Sequence, residues 1–230
     1  MCIRDRTRIG FSDFLYTTVG IRQDANSAFG TEFSTITYPR VNVSYIPTTH
    51  IGQLGPVSTA RLRFAWGKAG QQPGAFDQFT TYLPWASEFG PGLAPGNVGD
   101  PSLSPEISTE IEMGGEVGLF NDKLAFDFQY WDRTVDDALI QRAYPASGGF
   151  FRTQLSNIGG LEANGWEVGV DANLIRNSNL SVDVFGSLSY LEEKIVSLGG
   201  APEQKVGGSY PRYRNFLTEG FAPGTYFCLL

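Results

Sequence analysis

The sequence predicts an all-β chain, an antiparallel transmembrane β-barrel fragment with about seven or more strands. Three observations carry this prediction. Apolar and polar residues alternate with period two over stretches of roughly 9–11 residues, the length a tilted strand needs to cross a hydrocarbon core. The connections between these stretches alternate between short turns and long loops. Large aromatic residues recur on the apolar parity near one end of the stretches.

The clearest element is a hairpin over residues 110–133. Ile111, Met113, Val117 and Leu119 share one parity with Gly115, and Glu110, Glu112 and Glu116 share the other. Phe120, Asn121, Asp122 and Lys123 form a short turn. Leu124, Phe126, Phe128 and Tyr130 then alternate with Asp127, Gln129 and Arg133. Side chains alternate faces along a strand, so each arm has one apolar and one charged face.

Taken from the N-terminus, Leu15, Thr17, Val19 and Ile21 mark a first strand, Val41, Val43 and Tyr45 a second, and Leu62, Phe64 and Trp66 a third. After the hairpin, residues 152–157 re-enter strand. Trp166, Val168, Val170 and Ala172 mark another, and Leu180, Val182, Val184, Leu188 and Tyr190 the last. Residues 120–123 and 176–179 are short turns, and residues 46–59 form a longer member of the same set. Residues 23–37, 68–105, 136–151 and the tail after Glu192 read as long loops, and no helix is signalled. Met1 to Arg6 matches neither a signal peptide nor a good strand, and the chain stops at Leu230 just after Cys228. Both ends are therefore expected to be non-native or truncated.

In an outer-membrane barrel the short turns are periplasmic and the long loops lie outside. That orientation places Trp66, Tyr130, Trp166 and Tyr190 on the apolar face near the outer end of their strands, as an interfacial aromatic girdle, with Tyr45 in the lower one. Trp131 and Phe185 have the opposite parity, and Gly115 and Gly186 leave gaps. A soluble β-sandwich with Trp and Tyr in its core is the alternative, but its strands usually run to about 5–6 residues.

The chain has 230 residues, is 41% hydrophobic and 13% aromatic, and carries a net charge of −7 with scattered Lys and Arg. It lacks the basic footprint of a nucleic-acid binder. No run of 18 apolar residues exists, which excludes a transmembrane helix and says nothing against a barrel. His50 is the one histidine, and Cys2 and Cys228 are the two cysteines, so neither a catalytic triad nor a zinc site is expected. His50 reads as a solvated loop residue and Asp136–Asp137 as a solvated carboxylate pair. No catalytic residue, metal or cofactor is expected. The candidate ligand-binding residues are loop aromatics: Phe76, Phe79, Tyr82 and Trp85 in the longest loop, and Tyr144, Phe150 and Phe151 in the next.

Several segments carry a resemblance. Leu103-Ser104-Pro105-Glu106 leads to Glu112, Gly115, Glu116 and Leu119-Phe120-Asn121, followed by Asn157-Ile158-Gly159 and Asn164-Gly165-Trp166-Glu167. Arg22-Gln23-Asp24, Tyr38-Pro39, the run from Arg61 to Gly70, and Pro223-Gly224-Thr225-Tyr226-Phe227 fit the same pattern. The order and spacing resemble the C-terminal barrel of SusC/RagA-type TonB-dependent transporters, over residues 7–227. That resemblance implies part of a barrel of about 22 strands, with the plug domain absent from this chain. It implies outer-membrane import of glycan oligosaccharides or peptides in a Gram-negative bacterium, energised by the TonB complex through a missing N-terminal segment. A SusD-like lipoprotein would act as lid and the outer-membrane lipid bilayer as surrounding solvent. Glu110, Glu112, Glu116, Asp127, Arg133, Glu167 and Asp171 would then face the plug or lumen water. A siderophore- or cobalamin-type receptor is the alternative within transport, and a soluble or surface carbohydrate-binding β-domain the alternative outside it.

Overall fold

The computed structural model describes residues 2–29, 35–52, 54–88, 90–145, 147, 150, 153–206 and 214–227. Its main body is one antiparallel sheet of eight strands. In order these are β1 (Cys2–Phe11), β2 (Leu15–Asp24), β3 (Ile36–Tyr45) and β4 (Val57–Gln71), then β7 (Glu106–Leu119), β8 (Leu124–Ala143), β9 (Thr153–Arg176) and β10 (Ser181–Ser197). A separate hairpin, β5 (Thr81–Ser87) and β6 (Gly90–Asn97), is inserted between β4 and β7. Three short strands, β11 (Gln204–Val206), β12 (Asn215–Leu217) and β13 (Thr225–Tyr226), follow β10 as their own sheet. A single helical turn, α1 (Pro47–His50), joins β3 to β4. The main sheet is an open meander in which neighbouring strands in the sequence pair, except where the β5–β6 hairpin intervenes.

The cross-strand register explains the alternation. Directly opposed residues share a face. One row runs Thr17, Val43, Phe64, Met113, Tyr130, Trp166, Tyr190, and the next runs Leu15, Tyr45, Leu62, Gly115, Phe128, Val168, Leu188. Between them lies a polar row on the other face, Tyr16, Ser44, Arg63, Gly114, Gln129, Glu167, Ser189. Leu62, Phe64, Phe128 and Val184 are exposed, and Leu188 keeps 63% of its surface. No second described layer packs over these side chains. A β-sandwich would bury that face against a partner sheet, so the sandwich alternative fails.

The buried residues lie elsewhere. Phe29, Tyr38, Leu103, Ala138, Phe150, Ile195 and Leu198 are all buried at the long-loop end of the strands. The core therefore caps one end of the sheet and does not lie beneath it.

Several expectations are corrected. Residues 2–6 are strand: β1 pairs with β2 along ten residues, Cys2 opposite Asp24 through to Phe11 opposite Leu15. The partner strand sets this conformation, because β1 itself has only Ile3, Ile9 and Phe11 as large apolar residues. A short turn with Ser12 and Asp13 at positive φ closes that hairpin. α1 forms where no helix was signalled, with a proline in its first turn.

The loop expected over residues 68–105 contains the β5–β6 hairpin. In this two-stranded ribbon both strands are edges, so Pro84, Pro91 and Pro95 are tolerated. The first half of the loop expected over residues 136–151 is strand. The register shifts around Ala138 and Asp137 sits at φ 54°, so Asp136–Asp137 is absorbed as a bulge and β8 continues to Ala143. β9 likewise runs unbroken through residues expected to separate two strands.

Candidate functional site

Two surfaces are built from this scaffold: the polar face of the main sheet and the hairpin end. On the polar face, Arg63 on β4 bridges Glu116 on β7 (2.8 Å) and Asp127 on β8 (2.5 Å), and Arg61 approaches Glu116 at 3.9 Å. Arg133 pairs with Glu110 directly across the β7–β8 register, and its guanidinium lies 5.4 Å from the Trp131 ring centroid. On the other face, four residues beyond the Trp166–Tyr190 pair toward the long-loop end, Lys194 pairs with Glu162 at 2.8 Å. The residues expected on the polar face, Glu110, Glu112, Glu116, Asp127, Arg133, Glu167 and Asp171, share one parity with the arginine partners. Arg133 answers Glu110 within the hairpin, but Arg63 reaches Glu116 and Asp127 from 53 and 64 residues away in the sequence, which the local alternation does not reveal.

Among the concavities that indent the polar face, two lie beside its arginines on β1, β3 and β4. One of about 320 Å³ includes Arg8, Tyr16, Asn42, Arg63, Glu112 and Gln129 in its lining. The other, of about 510 Å³, includes Arg40, Asn42, Lys68, Ser108, Glu110 and Arg133.

The hairpin end carries the expected loop aromatics. Phe76, Phe79, Tyr82 and Trp85 are all exposed, Phe76 by 72%. Tyr82 and Trp85 are three apart on β5 and take opposite faces of the ribbon, so the structure does not gather the four rings into one patch. The hairpin is anchored by amide side chains. Gln154 on β9 is 1% exposed; its Oε1 accepts from the Gly99 N–H (3.0 Å), and its Nε2 donates to the carbonyls of Asp77 (3.2 Å) and Leu155 (3.0 Å). The Asn97 amide donates to the carbonyls of Phe76, Asp77 and Phe79. Asn157 binds both backbone groups of Ser104. Tyr144 is partly exposed, but Phe150 is buried against it edge-on at 6.2 Å. Phe150 thus packs the loop and presents no free ring, against its expected place among ligand contacts. Phe151 lies outside the described residues.

Of the expected girdle, Tyr130, Trp166 and Tyr190 occupy one cross-strand row, with Trp166 and Tyr190 stacked at 6.0 Å. Trp66 lies one row further toward the long-loop end, opposite Ile111. Tyr45 sits at the short-turn end of β3, and its hydroxyl contacts His50 Nδ1 at 2.9 Å. His50 also stacks on Phe14 at 4.0 Å, so the histidine expected to be merely solvated has two aromatic partners. At the β7–β8 turn, Asp122 accepts from Ser58 Oγ (2.7 Å) and Thr59 Oγ1 (2.8 Å), and these hydroxyls hold its carboxyl below its usual value. Among the described residues no cluster of three or more His, Cys, Asp or Glu could hold a metal.

Comparison with known proteins places this geometry. The profile described as "TonB dependent receptor-like, beta-barrel" matches residues 5–227. TonB-dependent receptors P39 and P26 of Formosa agariphila are each 27% identical to it, over 87% and 81% of this chain and 20% and 19% of their own. The chain thus spans about a fifth of the length of these relatives. The RagAB peptide transporter superposes with a TM-score of 0.85 at 22% identity, over 98% of this chain and 25% of that one. The siderophore receptor PirA from Pseudomonas aeruginosa superposes at 0.55, with 18% identity, over 84% of this chain and 36% of its own. With its open antiparallel wall, apolar on one face and ion-paired on the other, this chain belongs to the TonB-dependent receptor β-barrel family.

Proposed function

We propose that the chain is part of the barrel wall of an outer-membrane importer of a Gram-negative bacterium, taking up glycan oligosaccharides or peptides with energy from the TonB complex. The observation that carries this is the two-faced sheet. Its exposed apolar face suits lipid, and its ion-paired polar face suits a wet lumen. The wall catalyses nothing; it holds a lumen open, and its charges order water and the plug that the rest of the protein supplies.

The β5–β6 hairpin stands on the long-loop side, where solute arrives. Its exposed rings offer flat apolar faces to sugar rings or peptide side chains, or to a SusD-like lipoprotein lid. The superposition on a peptide transporter supports the import reading at the level of fold.

The test uses the full-length protein in a Gram-negative host. Uptake of labelled peptide or oligosaccharide pools should be saturable and should stop when TonB is deleted. Uptake that continues unchanged without TonB would sink the reading. Y82A and W85A should each weaken capture severalfold without lowering the amount of barrel in the membrane.

A further inference from the structure

We propose that the polar wall of β1–β3 binds anionic groups, carboxylate or sulfate, of the imported solute, with Arg6 and Arg40 at its centre and Arg4 and Arg8 flanking them. This deepens the import reading and rests on it.

The charges on the polar face divide by strand. On β7 and β8, Glu110, Glu116 and Asp127 are answered within the wall by Arg133, Arg61 and Arg63. On β1–β3 the balance reverses. Arg4, Arg6, Arg8, Arg22 and Arg40 share the polar parity, where the facing carboxylate is Asp24, and Asp24 pairs with Arg22 at 2.9 Å. Among the described residues, Arg4, Arg6, Arg8 and Arg40 make no ion pair; Arg8 lies over the Tyr16 ring at 5.4 Å. A chain with net charge −7 thus keeps four unanswered guanidinium groups on one patch.

The register gives the patch its shape. Arg6 lies opposite Gly20, Gly20 opposite Arg40, and Arg40 opposite Gly67. A Cβ added at Gly20 would come within 2.8 Å of Arg40 Nε, and one at Gly67 within 3.1 Å of Arg40 Cβ. The two glycines clear a trough in which the Arg40 side chain lies along the wall. Arg6 and Arg40 are two strands apart, about 10 Å, and Arg4, Arg6 and Arg8 repeat about every 6.6 Å along β1. That spacing suits an extended chain with repeated charges better than one small ion.

Arg4, opposite Arg22, is near the long-loop end, and Arg8, opposite Thr18, is nearer the short turn, so the strip follows the direction of transport. The concavity of about 510 Å³ beside Arg40 adds Asn42 and Ser108, which suit solute hydroxyls and amides; its lining also includes Glu110, which Arg133 neutralises, and Glu112, which confines the anion to the Arg40 side. Guanidinium forks bind carboxylate or sulfate oxygens in pairs, and rings of Arg and Lys select anions in pores.

The test titrates the full-length protein in detergent with tetragalacturonate, a dextran sulfate oligomer and hexaglutamate, with maltotetraose as the neutral control. At least one polyanion should bind, more tightly as salt falls, and R6Q/R40Q should weaken it tenfold or more. The responding probe identifies uronate, sulfate ester or acidic peptide as the source of charge. R4Q/R8Q, read in the same way, should weaken it at least threefold, which keeps the test open if the central pair fails to assemble. No polyanion binding below millimolar concentration overturns the proposal. So does binding unchanged in the variants, as does a lowered unfolding temperature with unchanged binding, which would make the strip a contact for the plug. TonB-dependent uptake measured on the same protein separates the failures: if uptake holds and no polyanion binds, only the arginine strip is wrong.

Discussion

Val170→Arg places a cation on the face assigned to lipid. Val170 lies opposite Phe126 on β8 and Gly186 on β10. β9 carries Trp166 four residues before it and Ile175 five residues after it. Nine residues at about 3.3 Å each, tilted near 45°, span roughly 21 Å along the membrane normal, close to the height of a barrel's apolar band. Val170 is therefore near the midplane, where an arginine on the lipid face costs about 2–4 kcal/mol. At 1.36 kcal/mol per factor of ten, the folded-to-unfolded ratio should fall by about 30- to 900-fold. The control is Ser187→Arg. Ser187 is exposed, lies opposite Gly169 and takes the polar parity at nearly the same height, so its cost should stay within about 0.5 kcal/mol. The assay is urea unfolding of the full-length protein in vesicles, followed by heat-dependent gel migration. Equal stability of the two variants, or a larger loss for Ser187→Arg, would refute the assignment of faces.

Three further outcomes follow from the same structure. Gln154→Ala removes the amide that holds the hairpin base and leaves the Gly99 N–H without its acceptor, at a cost of about 1–3 kcal/mol; hydrogen exchange over residues 76–99 should accelerate while β8 stays protected. Gly165→Val places a side chain against Trp131, whose ring would lie 2.9 Å from the new Cβ, and against the Tyr190 carbonyl; about 1–3 kcal/mol should be lost in urea unfolding. Asp122 has a folded pKa below its unfolded value, because Ser58 and Thr59 donate to the carboxylate. Its contribution is therefore present above the unfolded value and lost as pH falls through the folded one; amide exchange at the β7–β8 turn should rise below about pH 4, and Asp122→Asn should remove that dependence.

What the sequence revealed follows from where its signal is local. The strands near Val43, Phe64, Phe126 and Val168 were legible because period two shows within a few residues and one face must meet an apolar medium. β1 was not, since Arg4, Arg6 and Arg8 give it no apolar run and pairing with β2 fixes it. The ends of β8 and β9 were hidden by Asp136–Asp137 and by Gly159–Gly160, which look like breakers and are accommodated by a bulge and by packing outside the membrane band. The acidic half of the polar face was visible in the hairpin's parity. The arginine half becomes visible only when the register sets Arg6, Gly20, Arg40 and Gly67 side by side. The loop aromatics were visible by type, but only the fold separates the exposed Phe76 from the buried Phe150.

The central claim is that one face of this sheet meets lipid and the other does not. The most direct measurement is a nitroxide scan of residues 124–131 on β8 in the full-length protein, reconstituted in bilayers with Cys2 and Cys228 replaced by Ser. Collision with oxygen and with a polar nickel reagent reports the solvent at each position. High oxygen and low nickel access are expected at Leu124, Phe126, Phe128 and Tyr130, and low oxygen access at Ala125, Asp127, Gln129 and Trp131. A profile without period two, or one with the two sets exchanged, would contradict it.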